Sequence, residues 1–328
     1  MFVVTGGAGF IGSNIVAALE QRRTEPLAVC DRLRSGDKWR NISKRELVDV
    51  IHPDALFPAL DAAGVGVTAV VHMGAVSSTT ETDADRTVEI NVRLSVALWR
   101  WCTEHRIPFI YASSAATYGD GALGFEDVAT PDALAQFRPL NLYGWSKHLF
   151  DRWVARRVAD GDPQPPQWAG LKFFNVYGPN ETHKGPQASV VSHVFPDAAA
   201  GRPAKLFRSH RPDYPDGGQL RDFVWVGDCA DVVLWLLENP GVSGLFNVGT
   251  GQARSFADLA AAVYRTLGRE PAIDYVPMPE AIRDRYQYFT QASLTRLRAA
   301  GYPHPFTPLE AGVAAYVRDY LNTPDPYR

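Results

Sequence analysis

Short apolar runs and longer amphipathic stretches take turns along this chain. Phe2-Val3-Val4-Thr5 is a compact apolar run, and Ile11, Ile15, Val16 and Leu19 then recur at helical spacing. Pro26 to Asp31, Ala69-Val70-Val71-His72, Phe109-Ile110-Tyr111-Ala112-Ser113-Ser114 and Leu171-Lys172-Phe173-Phe174 read as further strands. Asn91 opens a helical stretch that runs through Trp99 and Trp101 to about His105, and another helix begins at Tyr143. Strand and helix alternating in this way predict an α/β protein with a doubly wound parallel sheet and right-handed crossovers. Asp160 to Gln167 is rich in Pro and Gly and reads as a loop. Beyond Phe174 the alternation weakens, so the chain is expected to leave the sheet and build a smaller, mostly C-terminal cap. Arg221 to Asp228 alternates like a strand, and Asp228 to Leu237 is an amphipathic helix. Phe246 to Gly251 is a strand entering a tight turn. Helical stretches near Phe256–Leu267 and Leu294–Ala300 follow.

The first turn carries the most specific chemistry. Gly6, Gly9 and Gly12 sit between the opening strand and its helix, in Thr5-Gly6-Gly7-Ala8-Gly9-Phe10-Ile11-Gly12. One glycine makes the turn, one admits a pyrophosphate close to the backbone, and one lets the helix pack on the strand. The helix N-terminus offers free N–H groups and a positive dipole end to the phosphates. Asp31 follows Gly12 by 19 residues, the usual distance for a carboxylate that binds the adenosine ribose. The stretch is a Rossmann-type dinucleotide site. Asp31 alone favours NAD, because it hydrogen-bonds ribose hydroxyls and repels a 2′-phosphate. Arg32, Arg34 and Lys38 just beyond it hold that phosphate and favour NADP, unless they form only a solvated basic loop. Met73-Gly74-Ala75 leaves the next strand at the carboxyl edge of the sheet, where such sheets bind ligands. The hydroxyl run Ser77-Ser78-Thr79-Thr80 beside it is expected to cap the following helix.

A second constellation lies downstream. Ser114 and Thr117 mark the exit of the Phe109–Ser114 strand. Tyr143 and Lys147 are four residues apart, so both side chains share one helix face. A free phenol has a pKa of about 10 and is a poor base at neutral pH. The Lys147 ammonium and a cationic nicotinamide are expected to lower it. Ser114 is placed to hydrogen-bond the same substrate hydroxyl. A Tyr-x-x-x-Lys pair alone carries little; here it follows a dinucleotide turn and a serine-rich strand exit in order. Arg221 is a candidate for a substrate phosphate, with a salt bridge to Asp222 as the plain alternative. Tyr286 is an aromatic more often found in core than in ligand contact.

Composition narrows the classes. With 328 residues the chain can bury a sizeable core, and 46% hydrophobic with 21% charged residues is ordinary for a globular protein. A formal net charge of −3 leaves no electrostatic footprint for nucleic acid or an anionic membrane. Three scattered cysteines argue against a disulfide framework and fit a reducing cytoplasm. No apolar run approaches the roughly 20 residues that span a bilayer, and the chain opens on a strand rather than on a signal-peptide pattern. Scattered histidines give no metal cluster, and no metal is expected. The domain boundaries expected are residues 1–174 for dinucleotide binding, with 222–250 returning to that domain. Residues 175–221 and 251–328 form the substrate-binding domain.

These motifs resemble the extended short-chain dehydrogenase/reductase superfamily over nearly the whole chain. The resemblance rests on residues 5–12, Ser113-Ser114-Ala115-Ala116-Thr117-Tyr118-Gly119, Tyr143 to Lys147, and Phe174-Asn175-Val176-Tyr177-Gly178-Pro179. Within it the chain is most similar to the ADP-L-glycero-D-manno-heptose 6-epimerases. The marks are Val76-Ser77-Ser78-Thr79-Thr80-Glu81, His183-Lys184-Gly185, Lys205-Leu206-Phe207, Gly244 to Gly251, and Arg285-Tyr286-Gln287-Tyr288-Phe289-Thr290-Gln291. The resemblance implies a bacterial enzyme, typically a homo-pentamer with tightly held NADP. It would interconvert the two C6″ epimers of an ADP-heptose, for lipopolysaccharide. It implies Phe10, Ile11, Asp31, Arg32, Lys38, Met73, Gly74, Ala75, Val76, Ser77, Asn91, Lys147 and Val176 as cofactor contacts. Tyr143 and Lys184 become the acid/base pair. Asn175, His193, Phe207, Arg208, Ser209, His210, Arg221 and Tyr286 become contacts of the sugar nucleotide. Three departures stand out: a longer Arg211–Gln219 loop, Pro186 at a site where the family can have a hydroxyl residue, and Pro53 in place of a lysine that can contact the cofactor. The alternatives are a UDP-sugar 4-epimerase or dehydratase, and a non-catalytic Rossmann module. Ala115 and Ala116 stand where a dehydratase has acids, and a pure binder has no need of Ser114, Tyr143 and Lys147.

Overall fold

The computed structural model describes residues 1–283 and 286–328. Arg285 of the Arg285–Gln291 stretch lies outside them. Twelve strands are labelled here in chain order: β1 (Phe2–Thr5), β2 (Leu27–Cys30), β3 (Asp49–Ile51), β4 (Ala69–His72), β5 (Phe109–Ser114), β6 (Trp168–Phe173), β7 (Asn175–Tyr177), β8 (Ala204–Phe207), β9 (Leu220–Trp225), β10 (Gly244–Val248), β11 (Ala253–Ser255) and β12 (Ile273–Val276).

Seven of them form the central sheet in the order β10-β6-β5-β4-β1-β2-β3, and every pairing is parallel. This is the Rossmann-type doubly wound sheet expected. β1, β2 and β4 are buried along their whole length, so both faces need apolar side chains and the sequence shows continuous apolar runs. Alternate residues feed opposite faces. Val4, Val71 and Ile110 pack under the helices Phe10–Arg22 and Val226–Glu238. Val3, Val70 and Phe109 pack with Leu98, Trp99, Phe150 and Val154 of the helices Leu94–Glu104 and Leu142–Ala159. Fully burying each such side chain contributes roughly 1.5–3 kcal/mol.

Register decides where the site sits. Thr5 is level with Cys30 on β2 and with His72 on β4, so three strand exits lie side by side. Strand order reverses between β1 and β4, which opens a crevice at their carboxyl ends.

After Phe173 the chain bends. Phe174 N still donates to Val248 O at 3.0 Å, but β7 pairs with β9 in a separate three-stranded sheet, β11-β9-β7. A parallel pair of β8 and β12 completes the cap sheets. The cap has its own core, built on Tyr177, Val191, Val194, Leu206, Phe223, Leu259, Val263, Val313 and Tyr316. Within residues 222–250, the helix Val226–Glu238 and β10 lie with the central sheet, whereas most of β9 precedes them in the small sheet. The helix expected to open at Asn91 begins earlier, at Ala84, and Asn91 falls inside a π-turn, Glu89–Arg93. Among the described residues no helix is long and apolar enough to cross a membrane.

Candidate active site

The glycine turn and the β4 exit meet at the crevice. Gly6 has φ +64°, and a Cβ there would stand 2.5 Å from Gly74 N, so only glycine lets the two loops touch. A Cβ on Gly12 would stand 2.2 Å from Gly6 O. Gly9 is the N-cap of the helix Phe10–Arg22, with no side-chain cap and no acid in the first turn. The first N–H groups and the positive dipole end are therefore left for an outside anion. That donor set fits a dinucleotide pyrophosphate. Phe10 is buried and Ile11 half-buried behind it.

Asp31, just beyond β2, is tied down on three sides. Its Oδ2 accepts from Ala8 N at 3.0 Å, and its Oδ1 accepts from Arg32 N at 2.7 Å and Lys38 Nζ at 2.5 Å. Arg32 turns to Asp54, at 2.6 Å. Across the crevice, Met73 N donates to Thr5 O and Gly74 N to Thr5 Oγ1, at 2.9 and 3.3 Å. Ala75 and Val76 are half-buried and Ser77 is exposed. Asn91 clamps Val76 on both backbone atoms: its Oδ1 accepts from Val76 N at 2.8 Å and its Nδ2 donates to Val76 O at 2.9 Å. Asn91 thus shapes the β4 exit loop from behind. The hydroxyl run does not cap the next helix; Asp83 does, accepting from Arg86 N at 3.0 Å.

The second constellation forms on the neighbouring strand exit. The Ser114 hydroxyl accepts from Ala116 N at 3.1 Å and opens the turn Ala115–Tyr118. Asn141 caps the helix Leu142–Ala159, accepting from Gly144 N at 2.8 Å. That helix carries Tyr143 and Lys147. A Cβ on Gly144 would stand 2.6 Å from Ala116 O, so the bare glycine sets how closely Tyr143 approaches Ser114. Burial pushes the Tyr143 phenol above its ordinary value, and its hydrogen bond with Ser114 works the other way. The lowering expected for this residue is therefore outweighed by desolvation in the protein alone. Lys147 is buried, and its pKa falls to about 8, with Asp151 opposing the fall.

Lys184 sits elsewhere on the rim, in the 3-10 turn Thr182–Gln187. Its ammonium lies 5.2 Å from the centroid of the Phe10 ring, beside the glycine turn. Burial lowers its pKa and Glu181 raises it. Asn41 joins this turn to the glycine turn, donating to Ala8 O at 2.9 Å and Asn180 O at 3.2 Å, with His183 Nδ1 3.1 Å away. Exposed Asn175 and half-buried Val176 stand at the bend where β6 gives way to β7.

Arg221 and Asp222 point to opposite faces of β9, as strand neighbours must, and form no salt bridge. Asp222 accepts from Thr250 N and Oγ1, Gly251 N and Ala292 N at 2.7–2.9 Å. Arg221 is buried. Among the described residues its partners are the carbonyls of Leu220 and Gln287 and the rings of Tyr286 and Phe256, 5.1 and 5.6 Å away. A buried guanidinium held by carbonyls and rings keeps its charge available to an anion. Tyr286 packs edge-on against Tyr288, whose hydroxyl accepts from His210 N at 2.8 Å. Phe207 ends β8, Arg208 Nε donates to Tyr275 O at 3.0 Å, and Ser209 N donates to Asp216 Oδ1 at 2.8 Å. Tyr286 lies against Arg221 and His210 is linked to Tyr286 through Tyr288, whereas His193 is exposed on the helix Val190–Ala199. Gln287 Nε2 donates to Gly119 O and so links the cap to the end of the Ser114 turn.

The NAD dependent epimerase/dehydratase family model matches residues 2–249. The chain belongs to this family. An ADP-L-glycero-D-manno-heptose-6-epimerase of Nitratidesulfovibrio vulgaris (strain DP4) is 50% identical over 331 residues, covering 100% of both chains. The crystal structure of the Helicobacter pylori ADP-L-glycero-D-manno-heptose-6-epimerase superposes with a TM-score of 0.77 at 28% identity, covering 97% of this chain and 95% of that one. The Thermus thermophilus UDP-glucose 4-epimerase, solved in complex with NAD, superposes with a TM-score of 0.75 at 26% identity, covering 95% and 96%.

The matching family is described as NAD dependent, and the free N–H groups of the uncapped helix at Gly9 fit the phosphates of such a dinucleotide. Several residues that shape this epimerase-family site escaped the sequence reading. Gly144 was signalled only by its place inside Tyr143-Gly144-Trp145-Ser146-Lys147, and Asn141 by its place three residues before Gly144. Asn41, Asp151 and Lys172 carry no local signal, because their partners are distant in sequence.

Proposed function

We propose that this protein interconverts ADP-D-glycero-β-D-manno-heptose and ADP-L-glycero-β-D-manno-heptose, supplying heptose for the lipopolysaccharide inner core. The observation that carries this reading is the pair of proton-transfer groups on separate elements bordering one cofactor crevice. Tyr143 lies beside the β5 exit and Lys184 beside the glycine turn. The C6″ epimers present their hydroxyls differently, so one group serves each.

A dinucleotide held at the glycine turn and the N-terminus of the helix Phe10–Arg22, with Asp31 and Lys38 at its ribose, would supply reversible hydride exchange at C6″, which lets either face of the C6″ ketone be reduced. Tyr143 takes the C6″ hydroxyl proton of one epimer and gives it back to the same oxygen in reverse. Lys184 does this for the other epimer, and its burial makes the neutral amine accessible. Ser114 hydrogen-bonds the reacting oxygen. Lys147 stays charged, orients the cofactor ribose and favours the Tyr143 phenolate through its positive charge. Arg221 holds the diphosphate, while Asn175, His193, Phe207 to His210 and Tyr286 border the rest of the sugar nucleotide.

The cofactor in this reading is NADP. Lys38 neutralises Asp31, the carboxylate that would repel a 2′-phosphate, and Arg32 stands exposed beside it. The three cysteines are buried and free, which fits a cytoplasmic enzyme. The assembly is a homo-oligomer, a pentamer by family resemblance. Ala115 and Ala116 in the Ser114 turn speak against a dehydratase. Calorimetry with ADP-heptose and UDP-glucose separates the remaining alternative. Binding of the ADP-sugar alone supports the heptose reading, and preference for the uridine nucleotide refutes it.

A further inference from the structure

The mechanism leaves one fully buried ion pair unused. Lys172 Nζ, on β6, lies 2.8 Å from Asp151 Oδ2, and neither side chain is exposed. Asp151 sits one turn beyond Lys147 on the helix Leu142–Ala159. Its carboxylate also accepts from the Ser113 hydroxyl at 2.6 Å and the Tyr111 hydroxyl at 3.2 Å, both on β5. Lys172 donates to Thr117 Oγ1 at 2.8 Å, and its ammonium lies 5.0 Å from the centroid of the Tyr118 ring. Thr117 in turn donates to Ser114 O at 2.8 Å. The pair therefore ties β5, β6, the Ala115–Tyr118 turn and the Tyr143-bearing helix together at one point behind Ser114.

Stability alone is a poor reason for such a pair. Replacing both partners by apolar groups is often neutral, whereas removing one strands a buried charge. Its place next to Lys147 supplies a better reason. We infer that the Asp151–Lys172 pair is a positioning device, which seats the Tyr143 helix against the Ser114 turn and lets Asp151 keep Lys147 cationic. The inference rests on Lys147 as the cofactor-orienting cation, and not on the identity of the sugar.

The charged and titratable surroundings of Lys147 are consistent with this. Tyr143 shares its helix. His72 on β4 is neutral, because burial takes it down to about 3, and its ring is held between Thr5 Oγ1 and Ser95 Oγ. Tyr111 on β5 and Lys172 on β6 reach Lys147 through Asp151. Among the described residues Asp151 is the negative charge that opposes the fall of Lys147 to about 8.

The test is a pH titration of the holoenzyme labelled with ¹³Cε-lysine, followed by NMR. The Lys147 resonance is assigned by its loss in Lys147→Arg. Asp151→Asn leaves Lys172 unpaired and is expected to be strongly destabilised. Asp151→Asn with Lys172→Met removes both charges, and its stability is expected to return towards the parent. In that double variant the Lys147 midpoint should fall by about one pH unit, and the alkaline loss of turnover should move with it. A merely structural pair would give restored stability with an unchanged midpoint, which overturns the inference. A displaced midpoint in a protein that fails to turn over ADP-heptose would refute the substrate and leave the inference standing.

Discussion

Gly144→Ala should damage catalysis far more than stability. The added Cβ would stand 2.6 Å from Ala116 O, 3.1 Å from Ala116 C and 3.2 Å from Ala116 Cβ. None of these atoms is the free end of a flexible side chain. The turn they belong to is pinned by the Thr117–Ser114 and Lys172–Thr117 hydrogen bonds. Helix and turn must therefore separate by roughly 0.5–1 Å to reach ordinary contact. Overpacking of this kind costs about 1–3 kcal/mol. Replacing a helical glycine by alanine returns up to about 1 kcal/mol. The net loss is about 0–3 kcal/mol, a thermal shift of several degrees at most. The same displacement carries Tyr143 and Lys147 away from Ser114, and a misplacement near 1 Å lowers kcat by about 10²-fold. Gly241→Ala is the control, because a Cβ there meets nothing within 4 Å; it should leave both quantities unchanged. Turnover at saturating ADP-heptose, read beside thermal melting, makes the comparison. A Gly144→Ala protein with parental kcat would refute the argument that this glycine sets the Tyr143–Ser114 approach.

Three further outcomes are expected. Tyr143→Phe combined with Lys184→Met should abolish turnover while the circular dichroism spectrum and melting curve stay parental; residual full activity would remove both residues from proton transfer. Asp222→Ala strands the buried N–H groups that its carboxylate satisfies at Thr250, Gly251 and Ala292, and urea denaturation should show a loss of about 3 kcal/mol. Burial raises the Asp228 carboxyl from 3.8 to about 6, against the lowering effect of its hydrogen bonds from Thr307. The folded state then holds this proton more tightly than the unfolded chain. The contribution is fully present below about pH 4 and is lost as pH rises through 6. Denaturation series between pH 4 and 7 should show that slope in the parent and a flatter one in Asp228→Asn.

The dinucleotide half was legible because its physics is local. A parallel strand buried on both faces needs a continuous apolar run, and a phosphate turn needs glycines at fixed offsets. Both lie within the first 31 residues. The cap was less legible. β7, β8, β11 and β12 are three or four residues long, too short for a periodic signal. Arg221 and Tyr286 were each singled out, but not their meeting: Tyr286 and Gln287 reach Arg221 from 65 or more residues away. Tyr143 shows another limit. Its neighbour in sequence suggests a lowered pKa, whereas burial, which depends on the whole fold, decides the direction. Asp151 and Lys172 would each be read from sequence as a surface charge or a strand exception, and only β6 packing against the helix brings them to 2.8 Å.

The central claim is tested most directly by proton NMR of the purified protein incubated with ADP-D-glycero-β-D-manno-heptose and no added cofactor. The account predicts growth of the L-glycero epimer, driven by a retained dinucleotide that is regenerated in each turnover. An unchanged spectrum, also after NADP⁺ and NAD⁺ are supplied, would contradict it.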